Sequence, residues 1–455
     1  IVADLHIHSP YSLASASRNS PAHLDRWARI KGINLVGTGD CTHPQWLADL
    51  RESLVEAGEG LYALNPGARR DFDRLIAPAE GLPCPAEGSG LSPRFVLTGE
   101  ISTVYRRDGR TRKVHHLILL PGLEAAAAFQ ARLERAGNIR SDGRPVLGLD
   151  SRDLLEMLLE SDSRAQLIPA HIWTPWFSVM GERSGFDSID ECYRDLAPHV
   201  HAIETGLSSN PPMNWALGCL DRFAIISNSD AHSPNRLGRE ATILEMEPSY
   251  SSLTEALSGD FAGTGRTTEA GPSILETVEF FPQEGKYHHD GHRKCGFSRS
   301  PVEGVAAGSL CPVCGKPLTP GVLGRVLQLA DRPVDENAAC PPQTTARGNR
   351  RPYRSLIPLA ELLGEILGVG TASKKVARAY AALVEKAGGE FAVLMQHSAA
   401  DLARLDCPGV SGELLSAAVD RMRKGEVSIS PGYDGKYGVV RALPVKTDAR
   451  ADFRG

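Results

Sequence analysis

Seven short apolar runs, all but one ending in polar residues, alternate with helix-like stretches and constrain the first 275 residues of this chain more than any other feature. They read VADLHIH, INLVGTGD, RFVLTGE, KVHHLILL, AQLIPAH, HAIETG and FAIISNSD. Strands of this kind alternating with helical segments such as LDRWARI and RDLLEMLLE predict a parallel α/β domain, either a barrel or doubly wound. In both architectures chemistry gathers in the loops at the strand C-terminal ends. That is where His6, His8, Asp40, Glu100, His171, Glu204, Asp230 and His232 fall, and His116, within the fourth run, is taken with them.

Spacing adds to position. Side chains two apart on a strand point the same way, so His6 pairs with His8 and Asp230 with His232. One strand-end His is usually a hydrogen-bonded structural residue, and an Asp there often caps a helix. The set as a whole favours a metal centre. Imidazole and carboxylate without thiolate suit zinc, manganese, magnesium or iron, and several carboxylates leave room for more than one ion. Paired ions stabilise attacking and leaving oxygens in phosphoryl transfer and generate hydroxide near neutral pH, so phosphoester hydrolysis is the expected reaction class. Glu204 is open between ligand and helix cap, and His43 between ligand and substrate contact. His115 is left out because alternation turns it away from His116.

At 455 residues the chain exceeds the size of a single core, and two or three domains are expected. Residues 276–350 are rich in Gly, Pro, Cys and basic groups and need a staple; within them, HRKC and CPVCG set His292 and Cys295 ahead of Cys311 and Cys314 at zinc-ribbon spacing. One structural zinc is expected there, with His288 or His289 as alternatives to His292. The stretch ENAACPPQTTARGNRRPYR reads as an exposed basic linker. Residues 351–455 show helical periodicity, and ILGVGTASKKV and LDCPGVSGELLSAAV each join two helices through a Gly-containing turn. Such turns offer amides and helix N-termini to phosphates, with Lys374 and Lys375 beside the first and Arg421, Arg423 and Lys424 near the end of the second pair. Charge divides the same way. Residues 281–455 carry 24 Lys and Arg against 18 Asp and Glu, whereas residues 1–280 carry 26 against 37. No run of 18 apolar residues and no basic-then-apolar leader is present, so neither a membrane partner nor secretion is expected.

The ordered set HxH, an acidic residue after the second run, Glu, His, His and DxH resembles the polymerase and histidinol phosphatase (PHP) family of metal-dependent phosphoesterases. That resemblance implies a distorted (β/α)7 barrel holding two or three divalent ions, with His6, His8, Asp40, Glu100, His116, His171, Asp230 and His232 as ligands and Glu100 as the bridge. Two departures concern the third ion: TGDCTH stands where many members read Thr-Asp-His, and SPYSLASAS replaces a further ligand after HxH.

With GKYHHDGHRKCG, CPVCGKPLTPGVL, HIWTPWFSVMGERSGF, ETGLSSNPPMNW and SPGYDGKYG added, the chain resembles the endonuclease Q family over nearly its whole length. The resemblance implies a DNA repair endonuclease that recognises hypoxanthine, uracil, xanthine and abasic sites and cuts 5′ of the lesion. It further implies a helix-hairpin-helix-like tail, Asp230, His232 and Glu100 at the reacting centre, and damaged DNA as partner. A monomer associated with the nucleoid in the cytoplasm, with room for a replication or repair clamp, is the matching expectation. Extruding a base costs least when it is mispaired. Trp173, Trp176 and Phe177 are candidates to stack on it, and Asn210, Asn214 and Asn228 to read its edge. A histidinol-phosphatase-like enzyme and a non-catalytic metal-stabilised DNA-binding subunit are the alternatives.

Overall fold

The computed structural model describes residues 1–13, 15–85, 92–259, 271–304, 309–335 and 350–444. Most of the expected basic linker, residues 336–349, lies outside them. Seven strands carry the site: β1 (Val2–Asp4), β2 (Leu35–Gly37), β3 (Arg94–Arg107), β4 (Arg110–Leu120), β5 (Gln166–Pro169), β6 (Ala202–Glu204) and β7 (Ala224–Ile226). Their period-two pattern sorts them between two clusters. Ala3, Leu35, Val96, Leu117, Ile168, Ala202 and Ala224, one per strand, share a single buried cluster. Val36, Leu97, Ile118, Leu167, Ile203 and Ile225 turn the other way, into a core completed by helices.

Those helices are α1 (Pro21–Lys31), α2 (Pro44–Ser53), α3 (Leu123–Ala136) and α4 (Ser151–Ser161). Local chemistry fixes their ends. Ser20 caps α1 by accepting from the His23 amide, Pro21 pre-sets its first turn, and Gly32 ends it in the left-handed region. Asp150 caps α4. Leu24, Phe129 and Leu155 bury the apolar stripes of α1, α3 and α4.

The pairing departs from the expected all-parallel order. β1, β2 and β3 run parallel, but β3 and β4 form a long antiparallel hairpin and β4 pairs antiparallel with β5. The cause is Asp108-Gly109 between two strand-like runs, both residues at positive φ, which is a tight-hairpin signal. β6 and β7 pair in parallel, and a parallel bridge joins Ile7 to Ala231.

Three further strands extend the sheet: β8 (Ala241–Glu245) against β1, β9 (Ser273–Glu279) against β8, and β10 (Tyr353–Ser355) against β9. The expected boundary at 275/276 therefore falls inside a strand. The tail holds α5 (Leu359–Leu367), α6 (Lys374–Ala387), α7 (Ala399–Ala403) and α8 (Gly412–Arg423). Its turn between α6 and α7 docks on α1: buried Lys31 donates to Glu390 at 2.7 Å, Tyr380 donates to the same carboxylate at 2.6 Å, and Phe391 lies on Gly32 and Gly238. The end of the described chain returns to the cysteine region, where Asp434 accepts from the Arg293 amide and from Thr319. Among the described residues no helix is long and apolar enough to cross a membrane.

Candidate active site

Each histidine of the HxH pair is held from behind by a carboxylate. Both Glu204 oxygens lie 3.0 Å from His6 Nδ1, and Asp40 Oδ1 lies 3.3 Å from His8 Nδ1. Asp40 also accepts from the Ser9 amide at 2.6 Å, and Glu204 from the His171 amide at 2.8 Å. With a proton kept on Nδ1, each Nε2 is the ring atom aimed inward, a lone-pair donor once its own proton is lost. There, His6 Nε2 and His8 Nε2 stand 3.5 and 3.3 Å from Glu100 Oε2 and 3.8 and 2.9 Å from Asp230 Oδ1. One ligand atom from each of these four residues lies within 4.8 Å of the others.

A second group shares Glu100. His115 Nδ1 stands 2.6 Å and His171 Nε2 3.2 Å from its other oxygen, and the two ring nitrogens are 3.2 Å apart. Glu100 thus turns one oxygen to each group. His6 Nε2 is buried without a hydrogen-bond partner. An orphaned imidazole nitrogen facing the buried Glu100 and the part-exposed Asp230 fits a divalent cation. The backbone is bent to make this site: Asp40, His171 and Asp230, just past β2, β5 and β7, have φ of 44°, 31° and 49°.

Charge balance follows from the contacts. Burial alone would raise the Glu100 pKa, but the charges of His115 and His6 and its imidazole hydrogen bonds hold it well below the usual carboxylate range. Asp230 is lowered in the same way, by His8 and His6 against burial. Burial is overcome at His6 and His8, whose carboxylate neighbours hold them well above an ordinary imidazole. At His115 burial wins, taking it to about 4.

Several expected site residues take other places. His116 does not face Glu100; its nitrogens lie 3.0 Å from Thr103 Oγ1 and 2.8 Å from the Tyr193 hydroxyl. The β3–β4 register explains this. Glu100 pairs with Leu117 and Ser102 with His115, so His115 shares the inner face with Leu117 while His116 shares the outer one with Ile118. Asp40 sits behind His8, outside the four-residue group. His232 sits at the mouth, its ring centroid 4.1 Å from that of His8, with Nδ1 on the Asp230 carbonyl at 3.0 Å.

Trp173 is 1% exposed and donates to Asn214, which correspondingly faces the interior. Asn228 accepts from the Leu5 amide and donates to Glu204, and Asn210 caps a short helix by accepting from the Met213 amide. Buried amides satisfied in this way are scaffold rather than free reading heads. Trp176, by contrast, is 43% exposed, and the half-buried Phe177 ring stands 4.8 Å from His115.

Arg144, which no sequence pattern marked, donates to Glu100 Oε2 at 3.1 Å. In the cysteine region, ligand atoms of His292, Cys295, Cys311 and Cys314 gather within 4.8 Å of one another, with His292 rather than His288 or His289 completing the set. Lys374 and Lys375 are exposed at the start of α6. Arg421 and Arg423 are instead engaged by the backbone: they donate to the carbonyls of Ala442 and of Leu394, and Lys424 pairs with Asp420.

Fold and site together define a mixed α/β protein with a candidate histidine–carboxylate metal centre and a helical tail. A family model described as the MJ0043 C-terminal domain matches residues 358–426. The chain is 30% identical over 284 residues to the uncharacterized protein MJ0043 of Methanocaldococcus jannaschii, an alignment covering 61% of this chain and 32% of that protein. It thus spans about a third of that relative's length. Among solved structures it resembles the lesion-specific endonuclease PfuEndoQ from Pyrococcus furiosus, with 30% identity, a TM-score of 0.77, and coverage of 97% of this chain and 95% of that one. A complex of endonuclease Q with a 27-mer duplex bearing an abasic lesion at the active site matches at 30% identity and a TM-score of 0.76, covering 98% and 97%. The chain belongs to the endonuclease Q family.

Proposed function

We propose that this chain is a lesion-specific DNA endonuclease that recognises deaminated bases (hypoxanthine, uracil and xanthine) and abasic sites and hydrolyses the phosphodiester 5′ of the lesion. The observation that carries the reading is the likeness over nearly the whole chain to an endonuclease Q whose duplex has an abasic lesion at the active site. The site's own chemistry supports it. His6, His8, Glu100 and Asp230 would hold one divalent ion, and Glu100, His115 and His171 a second. Such ions supply Lewis acidity at a phosphoryl oxygen and activate water.

The chain's residues do the rest. Glu204 and Asp40 fix the two imidazoles, so that the donor atoms need no rearrangement when substrate arrives. Asp230, 28% exposed at its side chain, is the carboxylate that reaches both the ion site and the open side, where it orients the attacking water. Exposed Trp176 and the Phe177 ring beside His115 would serve as stacking surfaces. The inner cluster drawing on all seven strands, together with the Ile7–Ala231 bridge, supports a distorted (β/α)7 barrel. The His292–Cys314 cluster suits one structural zinc. The α5–α6 and α7–α8 pairs suit a helix-hairpin-helix-like DNA-binding domain, with Lys374 and Lys375 on phosphates.

The test uses end-labelled duplexes carrying one hypoxanthine, uracil or abasic site, with Mg²⁺, Mn²⁺ or Zn²⁺, beside undamaged DNA and an Asp230→Asn variant. A metal-dependent cut immediately 5′ of the lesion, absent in the variant, is the expected result. Intact DNA alongside rapid hydrolysis of a small phosphomonoester would replace the reading with a phosphatase.

A further inference from the structure

Arg144 sits where a cation should not be needed once the site holds metal. Its guanidinium donates to Glu100 Oε2, the oxygen that His6 Nε2 and His8 Nε2 also face. The backbone around it is held on both sides. Asp142 accepts from the Leu13 amide at 3.1 Å, the Gly143 amide donates to the Tyr11 carbonyl at 2.9 Å, and the Pro145 carbonyl accepts from Ser102 in β3 at 2.9 Å. A Cβ on Gly143 would collide with Asp40 Oδ2, so only glycine lets this segment come so close to the site. The Arg144 side chain keeps 27% of its surface in solvent, placing it on the open side of the cluster.

Charge neutralisation is the plainer explanation, but it leaves the anchoring unexplained. A divalent ion on Glu100 Oε2 would repel a guanidinium bound to the same oxygen. The anion then within reach is the substrate's phosphodiester, whose non-bridging oxygens match the planar donor fork. We propose that Arg144 is a catalytic residue that leaves Glu100 when metal binds and grips the non-bridging oxygens of the scissile phosphodiester, stabilising the charge that builds during cleavage. The inference rests on the phosphodiesterase reading above.

Arg144→Gln and Arg144→Lys in the full chain test it through three readouts: metal content by elemental analysis, binding of inorganic phosphate to the metal-loaded protein by calorimetry, and single-turnover cutting of an abasic duplex. Wild-type metal content is expected in both variants. For Arg144→Gln, phosphate binding should weaken about tenfold and cutting should slow on the order of a hundredfold, the usual cost of one lost charge-stabilising donor, with Lys recovering part of both. Loss of metal from the Gln variant, or undiminished phosphate binding, would overturn the proposal. Should the wild-type chain leave the duplex intact, the endonuclease reading fails, while the phosphate titration still decides the role of Arg144.

Discussion

The two candidate metal clusters are assembled in opposite ways. His292, Cys295, Cys311 and Cys314 come from two turns close together in the sequence, His292–Cys295 and Cys311–Cys314. The histidine–carboxylate set draws on residues from His6 to Asp230, is almost wholly buried, and depends on strand register and on carboxylates standing behind its imidazoles. A local cluster stabilises its own turns. A long-range cluster concentrates charge that the fold must hold in place, so substitutions there should act on chemistry and those in the first on local stability.

Asp230→Asn should give the largest effect: cutting slowed on the order of a thousandfold or more, since several kcal/mol of charge stabilisation are at stake, with an unchanged melting temperature. Equal losses of rate and stability would break the contrast. Cys311→Ser is its counterpart, expected to remove one zinc per chain by elemental analysis and to expose the module to limited proteolysis while the active-site metals stay bound.

The tail joins by the long-range plan too. Lys31 and Glu390 are 6 and 7% exposed at their side chains. Glu390→Gln should therefore cost about 3–5 kcal/mol, measured by denaturant unfolding, because it strands a buried lysine. Burial alone would raise the Glu390 pKa, but Lys31 and the Tyr380 and Leu359 donors keep it below the ordinary value of 4.5. A carboxyl depressed on folding contributes stability above its unfolded pKa and loses it as pH falls through the folded one. Tail docking should thus weaken below about pH 4.5, and Glu390→Gln should flatten that dependence.

The finest contrast lies within β4. His115→Ala should lower metal content and slow cutting about 10–100-fold. His116→Ala should leave the metals and cost about 1–3 kcal/mol through the Tyr193 hydroxyl it strands.

That contrast also marks how far the sequence could be read. Strand ends, the HxH and DxH pairs and the Cys-x-x-Cys set were legible because short spacings carry them, whereas the place of Glu100 between two groups came only with the family resemblance. His115 was not: KVHHLILL is apolar on both faces, so alternation says that the two histidines part but not which one turns inward. The Asp108-Gly109 turn, which joins the hairpin, sets this register. Asp40 and Glu204 looked like ligands or caps because spacing cannot tell a metal's partner from a histidine's. Asn214 and Asn228 looked available because the interior donors and acceptors they satisfy come from distant elements. Arg144 sits in a loop of no recognisable pattern.

Anomalous diffraction from crystals of the manganese-loaded chain tests the central claim most directly. Two peaks flanking Glu100, one beside His6, His8 and Asp230 and the other beside His115 and His171, are predicted, with His116 still on Tyr193. A single peak away from Glu100, or one coordinated by His116, would contradict the account.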